Sequence, residues 1–141
     1  MGKRRMGRQA AVQFHFWRDA HRGGAPEKVD EFWDFCPAKP NVRAFAQPLI
    51  DGMVEHQPEI DERIARYTEN YDLNRISPVD RAVLRLAIFE LLHRDDIPPV
   101  VSINEAIDLS KQFSNADAKR FINGILDRLK GQLGRDARKA E

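Results

Sequence analysis

The chain has 141 residues, 23 basic against 22 acidic side chains, 42% apolar and 32% charged residues, and a formal net charge of +1. That is one domain with room for a real core, and the composition excludes both a disordered chain and a globally polycationic one. Cys36 is alone, no run approaches the roughly 18 apolar residues of a membrane span, and the start lacks the apolar segment of a signal peptide, so a cytoplasmic location is expected.

The first element is announced by KRRMGRQAAVQFHFW. Ala11, Val12, Phe14, Trp17 and Ala20 recur at helical spacing behind a basic run, and Gly23-Gly24 closes the helix. From Lys3 to Arg18 there are five cations and no acid, so no neighbour on the same helix neutralises them. Cations at the positive end of a helix dipole cost about 0.3 to 1 kcal/mol each. Stability alone would place acids there. Pro26 and Glu27 open a second helix with Val29, Phe32, Trp33 and Phe35 on its apolar side. A third runs from about Val42 to His56, and Pro48 means that it either starts late or bends. Pro58 suits the first turn of a fourth, whose stripe is Ile60, Ile64 and Tyr67.

Ser77-Pro78-Val79-Asp80 is the clearest start signal: a cap serine, a first-position proline, and a carboxylate able to reach back to the cap. The helix from Pro78 to about His93 carries Val79, Val83, Leu86 and Phe89 on one row and Leu84, Ile88, Leu91 and Leu92 on another. An element apolar on two faces belongs at the centre of the fold. Ser102-Ile103-Asn104-Glu105 repeats the capping pattern for a sixth helix, and the last runs from about Asp117 through Phe121, Ile122, Ile125 and Leu129, with Gly124 allowing close helix contact. The reading is seven helices in one all-α domain over residues 1–133, followed by a short charged tail, 134–141.

Chemistry is sparse. The four histidines show no metal-ligand spacing, Asp95-Asp96 reads as a solvated loop, and no glycine-rich loop follows a strand. No catalytic residue, metal or cofactor is expected. Charge is segregated instead: the basic start contrasts with residues 51–80, where Asp51, Glu55, Glu59, Asp61, Glu62, Glu69, Asp72 and Asp80 face only Arg63, Arg66 and Arg75. Lys3, Arg4, Arg5 and Arg8 are therefore candidate phosphate ligands, lying outside the core, with a solubilising basic tail as the alternative. Phe14 and Trp17 read as core, whereas Phe16 falls off the stripe and is expected to be exposed.

The succession KRRMGRQAAVQFHFW, SPVDRAVLRLAIFELL, DIPPVVSINEAIDLSKQF and KRFINGILDRL resembles the NusB family of transcription antitermination factors from end to end. The resemblance implies two small packed helical bundles, binding of single-stranded boxA-type RNA, a heterodimer with the ribosomal small-subunit protein NusE, and a place in the RNA polymerase antitermination complex that promotes ribosomal RNA transcription. It also implies roles for particular residues. Lys3, Arg4, Arg5, Arg8 and Gln13 correspond to the RNA-binding start, Asp117 and Phe121 to a second patch near the RNA path, and Phe16 and Asp80 to the face that meets NusE. Met6 stands where an arginine is often found, and Phe16 replaces a tyrosine. Two further readings remain open: the NusB-like helper domain of an RNA cytosine methyltransferase, and a purely protein-binding helical adaptor. A homodimer of the free protein is left open as well.

Overall fold

The computed structural model describes residues 2–20, 29–68, 76–113 and 115–134. They form seven helices, and no strand occurs among them. The basic run does not precede the first helix but makes its opening turns, since α1 spans Lys3–Ala20. The closing Gly23-Gly24 and the opening Pro26-Glu27 lie outside the described residues. α2 (Val29–Phe35) is one face only: Val29, Phe32 and Trp33 are buried, and Phe14 of α1 meets Phe32 edge-on at 5.4 Å. Phe35 was expected on that face but is 75% exposed. Six positions after Val29 it has rotated well away from the stripe.

α3 (Pro40–Glu55) continues through Pro48, so the late start is ruled out; the proline faces solvent, where the missing amide costs least. α1 lies close against α3 because position 7 is glycine. A Cβ there would stand 2.6 Å from the Phe45 ring. α4 (Gln57–Tyr67) has Pro58 in its first turn, as expected. α5 (Pro78–His93) is capped by Ser77, whose Oγ accepts from the Asp80 amide at 3.2 Å. Leu84, Leu86, Ile88 and Leu91 are all fully buried on it, and it packs against α1, α3, α4, α6 and α7. α5 is thus the element shared by two bundles, α1 to α3 on one side and α4, α6 and α7 on the other.

Two local expectations change at the carboxyl half. α6 spans Pro99–Phe113, starting earlier than Ser102, because Pro99 opens it and the Pro98 carbonyl accepts from the amides of Val101 and Ser102. Ser102 is therefore a buried helical residue, not a cap, and Glu105 serves another purpose described below. α7 (Ala116–Gln132) is capped by Asn115, which accepts from the Ala118 amide at 2.9 Å. Gly124 faces open space, so it makes no close helix contact. The tail from residue 135 lies outside the described residues. No helix among those residues is long and apolar enough to cross a membrane.

Candidate RNA interface

Four cations in the opening turns of α1 meet three different environments. Arg8 points inward and is 2% exposed. Its Nε and Nη2 donate to the two oxygens of Glu90 at 2.9 and 2.8 Å, and the Ser102 hydroxyl donates to the same carboxylate at 2.9 Å. The expectation that Arg8 lies outside the core is corrected: it is a buried cation that ties α1 to α5. Arg5 is half-buried and bridges to α6, donating to Glu105 at 3.1 Å and to Asp108 at 2.8 Å. The Glu105 hydrogen bond holds the Arg5 guanidinium above its ordinary pKa, with Asp108 adding to it. Glu105 was read as a cap and is instead this anchor.

Lys3 and Arg4 remain outside. Both are exposed and, with Gly2, Arg5 and Glu105, line an open hollow of about 490 Å³. Arg4 lies 5.6 Å from the centre of the Phe45 ring, which also receives Arg8 at 5.4 Å and Arg94 at 5.9 Å. One aromatic ring thus gathers three guanidinium groups, an arrangement attractive to each through the ring quadrupole. Arg94 is paired with Asp96, and that hydrogen bond holds the Asp96 carboxyl below the usual carboxylate range. The loop is therefore less free than its sequence suggested.

The remaining candidates fall in two other places. Gln13 is exposed beside Trp17, Phe32, Phe35 and Cys36, which line a hollow of about 430 Å³. Phe16 is 42% exposed, as expected from its position off the apolar stripe. Asp80, Asp117 and Phe121, assigned by resemblance to two different surfaces, share a single hollow of about 280 Å³ with Ile76, Ser77, Asn115 and Ala118. Asp117 is exposed and pairs with Arg120, whereas Phe121 is half-buried against the core. Asp80 is only 9% exposed, and its Oδ1 has no hydrogen-bond partner among the described residues. A carboxyl oxygen sheltered from water without a donor is an unmet demand for one.

Several structural ions were not singled out from the sequence. Glu90 lies on the same row of α5 as Val83 and Leu86, and an acid on an otherwise apolar row was the available signal for a buried cation opposite. Arg85 is similar: buried on the central helix, it is clamped by Asp19 at 2.9 Å and Asp61 at 2.8 Å. Burial lowers the guanidinium pKa, but these two carboxylates outweigh it and leave Arg85 above its ordinary value. Phe45 carried no sequence signal beyond its place on an apolar stripe.

Fold and tip together define an all-helical protein of two bundles that presents a narrow cationic edge anchored from beneath by buried ion pairs. Residues 6–130 match the NusB family. The transcription antitermination protein NusB of Methylacidiphilum infernorum is 38% identical over 138 residues, covering 97% of this chain and 96% of that protein. Among solved structures, T. maritima NusB superposes with a TM-score of 0.80 at 38% identity, over 94% of this chain and 92% of that one. A structure of the antitermination factors NusB and NusE in complex with dsRNA gives 0.82 at 26% identity, over 92% and 97%. The chain belongs to the NusB family.

Proposed function

We propose that this chain is an RNA-binding transcription antitermination factor that acts without catalysis, in the cytoplasm, binding boxA-type RNA together with NusE to promote ribosomal RNA transcription. The observation that carries the RNA surface is the division of labour at the tip: Arg5 and Arg8 are held by carboxylates, and Lys3 and Arg4 are presented to solvent on the rigid start of α1. Fixed cations cost less ordering on binding than a flexible tail. NusE binding is assigned to Phe16 and to the hollow of Asp80, where a cationic partner would supply a donor to Asp80 Oδ1, which has none among the described residues. Gln13, Asp117 and Phe121 extend these surfaces. The methyltransferase-helper reading is not favoured, since the relative named above is matched over 96% of its own length and is named as an antitermination protein.

The test is RNA affinity at two or more salt concentrations, using boxA-containing RNA in single- and double-stranded form against a scrambled sequence, each with and without NusE. With two phosphates neutralised by Lys3 and Arg4, log affinity should fall with log salt at a slope of about minus 1.4 for a single strand. Lys3→Ala with Arg4→Ala should remove that slope. A salt-independent affinity, or one equal for boxA and scrambled RNA in the presence of NusE, would overturn the assignment.

A further inference from the structure

His56 and Glu59 are three residues apart at one helix junction, and the fold brings the distant His93 to them. His56 sits at the junction of α3 and α4, Glu59 in the first turn of α4, and His93 at the last residue of α5. One carboxylate oxygen, Glu59 Oε2, lies 3.6 Å from His56 Nδ1 and 3.3 Å from His93 Nε2. The two imidazole rings stack at 3.8 Å with an interplanar angle of 18°, and each is also stacked on Phe89, so one ring must turn out of the stack for both in-plane lone pairs to reach a shared ion. One potential ligand atom from each of the three residues falls within 4.8 Å of the others.

From these positions we infer a binding site for a divalent transition-metal ion of the zinc class, with His56, Glu59 and His93 as its protein ligands. Two imidazoles and a carboxylate are a donor set suited to such ions. With ligand bonds of about 2.0 to 2.1 Å, the edge of a tetrahedral site is about 3.3 Å, close to both spacings from Glu59 Oε2. A fourth position faces solvent, since the three side chains are each between a quarter and a half exposed. The second nitrogen of His56 faces the carboxylate of Glu55, with Nε2 to Oε2 at 4.0 Å. At that distance there is no hydrogen bond, so Glu55 acts on the site through its charge alone. Glu55 and Glu59 also supply two negative charges for a dication to neutralise. Sequence spacing hides the site because Glu59 and His93 are 34 residues apart. A bound ion would tie the start of α4 to the end of α5, the helix on which both bundles are built.

The experiment uses the untagged full-length protein after chelator treatment, titrated with zinc chloride by calorimetry and with cobalt(II) chloride by absorption spectroscopy. One zinc per chain is expected, with a rise in the thermal midpoint, and the cobalt form should show the visible bands of a four-coordinate site. His93→Ala and Glu59→Gln lie on separate elements, and each should abolish stoichiometric binding while far-ultraviolet circular dichroism is unchanged. If one fails to fold, the other decides. Absence of stoichiometric zinc binding, or binding equally strong in both ligand variants, would show that the histidines are only a stacked pair. RNA affinity does not enter the readout, so this result stands apart from the antitermination assignment.

Discussion

The tip of α1 and the hollow at the start of α5 both place charge at a helix beginning, and they resolve it in opposite ways. At the tip, cations that look unopposed in the sequence are largely matched: Arg8 by Glu90 and Arg5 by Glu105 and Asp108, all from distant helices. In the hollow, an acid that looks like half of a capping box keeps a buried oxygen without a donor among the described residues. Charge available to a partner is therefore what remains after the fold has used its share. By that measure the tip offers Lys3 and Arg4, and the hollow offers Asp80.

The sharpest way to break the comparison is to treat Arg8 as a surface residue. Arg8→Ala should cost about 3 to 5 kcal/mol in urea unfolding, because it leaves Glu90 buried and unpaired. Replacing both partners, Arg8→Met with Glu90→Leu, should recover most of that loss. A cost below about 1 kcal/mol for Arg8→Ala would return the residue to the RNA surface.

A second, somewhat smaller effect concerns His15, also on α1 and fully enclosed beside the Ile50 carbonyl at 3.3 Å. Burial pushes its pKa from 6.5 down to about 3. Below pH 6.5 the unfolded chain takes up a proton that the native protein refuses. Stability should then fall as pH drops from about 6.5 towards 3, by up to about 1.4 kcal/mol per unit from this residue. Denaturation at pH 6.5 and pH 5 should show a shallower dependence in His15→Leu than in the parent; identical slopes would mean that the ring is not enclosed in solution.

The hollow is sharpened by Asp80→Asn, which should change stability by no more than about 1 kcal/mol while weakening NusE about tenfold, or about 1.4 kcal/mol. If NusE affinity is unchanged, the partner face lies elsewhere. The smallest stability effect belongs to Lys3→Ala with Arg4→Ala, within about 0.5 kcal/mol, as for exposed positions outside the buried network. RNA binding should be the property that these two changes remove.

Much of the architecture was legible because periodicity and capping are local. Ser77 and Pro78 mark the start of α5, and its two apolar rows state that it is central. Where a proline pair offered an earlier start, as at Pro98-Pro99, the Ser102 signal misled, because a serine three residues into a helix looks the same as a cap until its partner is known. The candidate site was less legible. Arg4 and Arg8 have identical side chains four residues apart, and what separates them is Glu90, more than eighty residues away. Asp80 and Phe121 meet in one hollow only because α5 and α7 pack together. Long-range pairing of this kind leaves a trace, such as Glu90 among apolar neighbours, but not an address.

The placement of the indoles gives the molecule a built-in optical asymmetry. Its two tryptophans, Trp17 and Trp33, both belong to the α1 to α3 bundle; Trp33 donates from Nε1 to Gln47 at 2.7 Å, and Arg43 lies 5.3 Å from its ring centre. Tryptophan emission excited at its red edge therefore watches one bundle, while backbone ellipticity watches both. Because α5 is built into each, the two signals should report one coincident denaturation curve, and a lag between them would reveal the α4, α6 and α7 side melting on its own.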